Sequence, residues 1–231
     1  MGVDIPEFLT KLGRDKLATE LVKEVGDLTG MAFYYLLRVG EYTIKGRENN
    51  TKQTVQFKLE DVMFFRKDKQ GRLRQLLINA TEEEILTDNV ATLKLDNNKY
   101  GWEGVCVFHE HNTDEKLSPV RVLGRRCISI RKQNINRKTY LSLFWLDGKR
   151  TDVTAKKISA EVKFSAGALD YLLQKGIPVE RVDTHSLRAG RANSLSLTVY
   201  SDRDIQNMGR WRGETFKKYI REELYIFQRK P

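Results

Sequence analysis

THSLRAG, residues 184–190, and WRGETFKKY, residues 211–219, are the two stretches on which the reading of this chain turns. In the first, His185 and Arg188 stand three residues apart, which puts both side chains on one face of a helix for which Thr184 is a natural N-cap. The rest of that helix is small and apolar, with Leu187, Ala189, Ala192, Leu195 and Leu197. Arg188 is therefore expected inside the fold, where an unpaired guanidinium is costly and needs an anion. In the second stretch Phe216, Tyr219 and Ile220 share one side of a short helix, and Arg212, Lys217, Lys218 and Arg221 make the remainder basic. Taken singly, each residue also has an ordinary reading: a capping histidine, an arginine paired with a carboxylate, a core tryptophan, an amphipathic-helix tyrosine.

Upstream, Arg38 interrupts the aromatic and aliphatic run MAFYYLLRVGEYT, residues 31–43, so its charge needs compensation inside the fold or at a cleft. Glu41, three residues on, is its structural partner. Leu9, Leu12, Leu17, Leu21, Val22 and Val25 predict a helix over 6–25 with a weak point at Gly13; a second helix is predicted over 28–42, with GDLTG as the break between them. From 54 to 109, VQFK, VMFFRK, RQLLINA, VATLKL and GVCVFH are short β-favouring runs separated by DKQGR, ATEEE and DNNKYGW, which predicts a small antiparallel sheet. Helical spacing returns from Ser118 in PVRVLGRRCISIRK, DVTAKKISAEVKFSAGALDYLLQK, HSLRAGRANSLSLTVY, SDRDIQNMG and RGETFKKYIREELYIF. The expected architecture is one α+β domain over 1–231, mostly helical, with a small antiparallel sheet inserted.

The 231 residues suffice for a real core, and 41 Lys plus Arg against 31 Asp plus Glu leave a net charge of +10, which points to a polyanionic partner. Cys106 and Cys127 are far apart and no secretory leader opens the chain, so a reducing, intracellular setting is expected. Pro6 stands where a myristoylation signal needs Ser or Thr, and MAFYYLL is too short to span a bilayer, so no membrane association is expected. HEH, residues 109–111, lacks a third nitrogen or sulfur ligand and makes a poor metal site.

Together, Arg38 in LLRVGEYT, Lys99 in LDNNKYGWEG, His185 and Arg188 in THSLRAG, Trp211 in MGRWRGETF and Tyr219 in FKKYIREE resemble, in order and kind, the catalytic set of the tyrosine recombinase (phage-integrase-like) family. MGRWRGETFKKYI is similar to the recombinases of eukaryotic mobile elements, the cryptons and DIRS-like retrotransposons. The resemblance runs from about Leu17 to Leu224 and is most specific from Thr184 to Glu222. H-x-x-R alone is a weak signal; six positions in order are a strong one.

The resemblance implies cleavage and rejoining of double-stranded DNA, in the nucleus, by dimers or tetramers assembled on the DNA, with neither metal nor nucleotide cofactor. Arg38 and Arg188 would clamp the non-bridging oxygens of a phosphodiester, for which planar guanidinium forks suit better than lysines. Tyr219, with an unperturbed pKa of about 10, would be the nucleophile and form a 3′-phosphotyrosyl link, with His185 positioning or taking its proton. Lys99 is the family-implied general acid for the 5′ oxygen; Lys94, on the same hairpin, is the alternative. Trp211 would donate one hydrogen bond to the phosphate and pack the active helix with its ring. Tyr200 and Tyr225 are alternative nucleophiles, but Tyr200 precedes Trp211 and Tyr225 lies beyond Tyr219 near the chain end, so both read as packing residues. The basic stretch 121–138, with Arg125, Arg126, Arg131 and Lys132, joins Arg212, Lys217 and Lys218 as candidate phosphate contacts, its ordinary reading being a solvated helix face. At this length the separate N-terminal DNA-clamping domain that relatives carry is expected to be absent, and Arg191 adds charge near the clamp without an evident role. Two further readings stand beside strand exchange: a type IB topoisomerase-like activity and a retired DNA-binding module.

Overall fold

Two glycines decide how the first helices meet. In the computed structural model, which describes residues 3–44, 55–77, 79–95, 104–112, 114, 117–133, 136–198 and 200–220, α1 (Asp4–Gly13) packs on α2 (Glu20–Tyr34) backbone to backbone. A Cβ at Gly13 would lie 3.1 Å from Lys23 Cα, and one at Gly26 only 2.8 Å from the Leu9 carbonyl oxygen. The predicted helix over 6–25 is thus two helices, broken at 14–19, where Thr19 caps α2 by accepting from the Val22 N–H. GDLTG does not break anything: α2 runs through it, because Gly26 and Gly30 are contact points with α1 and with Val122 rather than turn residues. The second predicted helix ends early, at Tyr34, and a single turn, α3 (Val39–Tyr42), follows.

The sheet lies where expected, with β1 (Val62–Lys67), β2 (Leu73–Gln75), β3 (Val90–Lys94) and β4 (Cys106–Glu110) in the order β2-β1-β3-β4, every pair antiparallel. VQFK is not a strand; Lys58 makes one isolated bridge to Tyr140. ATEEE is not a turn either: Thr81 and Glu84 form a capping box, the sequence signature of a helix start, and open α4 (Glu82–Thr87).

α5 (Pro119–Arg131) is followed by a hairpin within the expected helical half, β5 (Leu143–Leu146) and β6 (Lys149–Asp152). Its two-residue turn is Asp147-Gly148, both with positive φ, which is the strongest short hairpin signal a sequence offers. α6 (Ala155–Ala168), α7 (Tyr171–Lys175), α8 (Thr184–Ser196) and α9 (Asp202–Gly209) complete the helices, and a 3-10 helix spans Gly213–Tyr219. The class is α+β. No helix among the described residues is long and apolar enough to cross a membrane.

α2 is the axis of the main core: Val25, Leu28, Met31, Ala32 and Phe33 are fully or almost fully buried, together with Val120, Val122 and Leu123 of α5 and Ala91 and Leu93 of β3. This arrangement corrects the reading of the basic stretch. Arg126 is completely buried, pairs with Glu24 and donates from Nε to the Leu141 carbonyl; Arg125 lies against Asp27, with Nη2 2.7 Å from its carboxylate. Both face inward, because α5 turns that side onto the polar stripe of α2. Arg126 is out of reach of any phosphate backbone. Arg131 donates to the Ala80 carbonyl, and exposed Lys132 pairs with Glu82.

Candidate active site

Two helices end in the same unusual way. At the end of α2, the Leu37 N–H donates to the Ala32 carbonyl and the Leu36 N–H to Phe33, a closure in which the left-handed position is normally glycine; here it is Leu36, at φ 51°. At the end of α9, the Trp211 N–H donates to Gln206 and the Arg210 N–H to Asn207, with Arg210 at φ 55°. A non-glycine residue in this conformation costs about 1 kcal/mol or more. Burial offsets it at Leu36, whose side chain is fully enclosed in a small cluster with Ala192, Leu195, Ile205, Trp211 and Phe216. Each turn launches a predicted site residue: Arg38 two positions after Leu36, Trp211 directly after Arg210.

Five of the six residues named from the sequence line one cavity of about 450 Å³: Arg38, His185, Arg188, Trp211 and Tyr219, with Lys218 beside them. Arg188 is only 4% exposed; its Nη2 donates to the Gly209 carbonyl, and its Nε is buried without a hydrogen-bond partner among the described residues. Its guanidinium carbon lies 4.4 Å from the centroid of the Trp211 ring, which also neighbours the Tyr219 ring at 5.5 Å and the Phe216 ring at 6.3 Å. Burial, followed by Arg38 and Arg210, pulls the Arg188 pKa down to about 9, against the opposing influence of Glu41 and Tyr219. The guanidinium stays charged at neutral pH, at an energetic cost that an anion in the cavity would relieve. Trp211 thus packs against both Arg188 and Tyr219.

His185 stands at the N-terminus of α8, largely exposed, with Nδ1 4.0 Å from the Asp183 carboxylate. Asp183, not Thr184, is the N-cap: its carboxylate accepts from the His185 N–H at 2.8 Å and the Ser186 N–H at 3.3 Å. A carboxylate there meets the partial positive charge of the helix end, which an uncharged threonine hydroxyl does less well. Behind Arg38 lies Glu41, its predicted partner, which accepts from the Arg38 N–H at 2.7 Å and approaches Arg38 Nη1 at 3.7 Å. The closer side-chain partner of Glu41 is Arg210, Nη2 at 2.9 Å. The sequence reading missed Arg210. Set among other basic residues, it carried no sign that it alone would be buried.

Lys99 lies outside the described residues. Lys94, the last residue of β3, is exposed and does not line the cavity. Of the other candidate DNA contacts, Arg212, Lys217 and Lys218 are exposed on the 3-10 helix and its approach, and Lys217 also reaches Glu214 at 3.0 Å. Arg191, without an evident role in the sequence, has its guanidinium over the Phe33 and Tyr34 rings, at 5.6 and 5.3 Å. Tyr200 lines a different cavity. Of HEH, His109 packs edge-on against Tyr35 at 4.7 Å, with its pKa pulled to about 4 by burial and then by Arg191, and His111 Nε2 meets Arg121 Nε at 3.1 Å.

Gly209 holds this arrangement tightly. A Cβ there would fall 1.7 Å from Trp211 Cζ3 and 2.0 Å from Cε3, so the ring would have to shift from its place against Arg188 and Tyr219. Gly209→Ala is expected to destabilise the fold by about 1–3 kcal/mol, the range for overpacking. It should also slow any reaction at Tyr219 by about 100-fold through misplacement. Urea unfolding and the adduct assay below check the two effects; an unchanged reaction rate would show that Trp211 need not stay where it is.

No protein-family model matches this chain, and no curated protein matches it significantly. The functional reading therefore rests on the site itself.

Proposed function

We propose that this protein cleaves and rejoins DNA strands through a covalent 3′-phosphotyrosyl intermediate, in the manner of a tyrosine recombinase of a mobile element. The observation that carries the reading is the convergence of Arg38, His185, Arg188, Trp211 and Tyr219, from separate elements, on one cavity. In this mechanism a DNA phosphodiester enters with its non-bridging oxygens toward Arg188 and Arg38. The buried, incompletely partnered guanidinium gains most as negative charge builds on phosphorus. The Tyr219 oxygen attacks, its proton passing to His185 or to water held there, and the 5′ oxygen leaves with a proton from a lysine, Lys99 in the family pattern. Religation reverses these steps with a 5′ hydroxyl from a partner strand, so the phosphodiester bond energy is conserved and no nucleotide is consumed. Double-stranded DNA is the proposed partner, held by Arg212, Lys217 and Lys218 around the cavity, with self-association on DNA and action in the nucleus as further parts of the proposal.

The test is a trapping experiment. Incubation with a pool of nicked duplexes, randomised around the nick, is expected to give a denaturation-resistant protein–DNA adduct whose nucleotide remnant maps by peptide mass to Tyr219. An adduct on another residue, or none from any duplex, would overturn the proposal.

A further inference from the structure

Among the described residues β4 is paired on one side only, with β3, and so forms an edge of the main sheet. Along an antiparallel ladder every second residue turns its N–H and C=O away from the neighbouring strand. The Leu95 N–H bonds the Val105 carbonyl and the His111 N–H bonds the Asn89 carbonyl, which sets the phase. Val107 and His109 thus exchange bonds with β3, and the backbone groups of Cys106, Phe108 and Glu110 point outward. None of these outward groups has a hydrogen-bond partner among the described residues. Sheet edges are usually blunted by proline, by lysine or by a charge pointing inward. β4, CVFHE, has none of these, and its single charged residue, Glu110, sits at its end and pairs with Lys67 at 3.0 Å.

A groove of about 740 Å³ runs beside this edge, lined by residues 105–110 and, across from them, by Tyr34, Arg191, Tyr200 and Met208. Successive residues of a strand project to opposite faces, so a cavity touching all six follows the edge and not one face. Its apolar lining is open to solvent: Phe108 is 65% exposed and Tyr200 46%. Arg191 brings an unmatched charge. Its guanidinium lies over two aromatic rings, its Nε is buried without a hydrogen-bond partner, and no carboxylate pairs with it among the described residues. Burial holds its pKa below the ordinary arginine value, against the opposing influence of Tyr34 and Tyr200. Ring faces offset part of the cost of such a charge, but a carboxylate matches the planar fork with paired hydrogen bonds. The outward row of β4 selects between anionic partners. It alternates donors and acceptors, which a polypeptide satisfies together; a phosphodiester backbone offers acceptors only and would leave the carbonyls unpaired.

We propose that β4 is a docking edge: an extended segment of a partner protein, apolar with an acidic residue, adds beside it as a fifth strand of the main sheet. Its backbone pairs with Cys106, Phe108 and Glu110, and its carboxylate meets Arg191. The acidic side chain lies on the inner face of the added strand, the face on which the His109 ring packs against Tyr34 and Tyr35 and feels the Arg191 charge. Apolar side chains of the segment cover Tyr34, Met208 and Phe108. The net charge of +10 on the chain favours an acidic partner further. This surface is separate from the cavity of Arg188 and Tyr219, and the proposal does not depend on the reaction assigned there.

The experiment pans a phage-displayed library of linear octapeptides on the full chain, then measures the enriched peptides by fluorescence polarisation and by amide exchange in the protein. Enriched sequences are expected to carry an acidic residue among alternating apolar ones. Bound peptide should slow exchange at the Cys106, Phe108 and Glu110 amides and leave Val107 and His109, already bonded to β3, unchanged. Arg191→Gln should weaken binding by about 30-fold or more, as for the loss of one partner of a desolvated charge pair. Replacing the acid of the peptide by its amide should weaken binding to wild type equally and to Arg191→Gln hardly at all. Should Arg191→Gln fail to fold, N-methylated peptides test the same geometry on the untouched protein: methyl groups on the amides facing β4 abolish binding, and those on the intervening amides do not. The absence of any enriched peptide, binding indifferent to the peptide's acid, or protection of other amides overturns the proposal. Self-association that protects the same three amides without peptide would assign the edge to a second copy of this chain and overturn it as well.

Discussion

Tyr219→Phe is expected to form no covalent adduct with any nicked duplex and to keep the fold. The substitution removes one oxygen and leaves the ring that packs on Trp211 at the edge of the small cluster with Phe216 and Leu36. Stability should therefore change by no more than about 0.5–1 kcal/mol, as for other changes that spare packing. The effect on chemistry is total rather than graded, since nothing replaces a missing nucleophile. Tyr200→Phe is the matched control: Tyr200 is exposed and lies at another cavity, and its variant should react as the wild type does. Adduct persisting in Tyr219→Phe, or lost in Tyr200→Phe, would remove Tyr219 from the mechanism. Unaltered duplex binding by Tyr219→Phe in a gel-shift assay would show that the loss lies in the reaction step and not in encounter.

The second large effect concerns stability. Arg126→Met is expected to cost about 3–5 kcal/mol, because it leaves the Glu24 carboxylate buried beside α5 without its counter-charge. Ser129 would still donate to Glu24 at 2.7 Å, which does not replace a guanidinium. The loss should depend on pH in a defined sense. Burial already raises the Glu24 pKa, and Arg126 is the largest influence lowering it. Without Arg126 the folded-state value rises further above that of the unfolded chain, about 4.3. A carboxylate whose folded pKa is raised has stability that is present at low pH and lost as pH climbs from the unfolded value through the folded one. The deficit of Arg126→Met against wild type is thus greatest at neutral pH and narrows toward pH 4, and Glu24→Gln in the same background reduces it. Urea unfolding at pH 4.5 and pH 7 measures both; equal deficits at the two pH values would mean that Glu24 is not the cause.

That Arg126 was read as a DNA contact shows where sequence reasoning stops. RVLGRRCISIRK reads as a basic helix face on charge alone, and nothing local distinguishes arginines that meet phosphates from arginines that meet Glu24 and Asp27, a hundred residues earlier in the chain. Two elements were legible but passed over: the Thr81–Glu84 capping box opening α4, and the Asp147-Gly148 turn of the β5–β6 hairpin. GDLTG was misread because glycine serves two ends. In turns it supplies backbone freedom; in α2 it admits the backbone of α1 and the side chain of Val122.

By itself the sequence determined the α+β class, four of the five β-favouring runs as strands of the main sheet, and five of the residues that line the cavity. Periodicity, turn residues and motif spacing are local properties, and each is written in neighbouring side chains. Only the tertiary structure decided that Arg38 and Arg188 share a cavity with Tyr219, that Arg126 does not face outward, and that Arg210 is buried and bonded to Leu36 and Glu41. These depend on how α2, α8 and α9 pack against one another. Burial, the cost of an unpaired charge and the partner that relieves it are set by elements far apart in the chain, whose meeting no local pattern encodes.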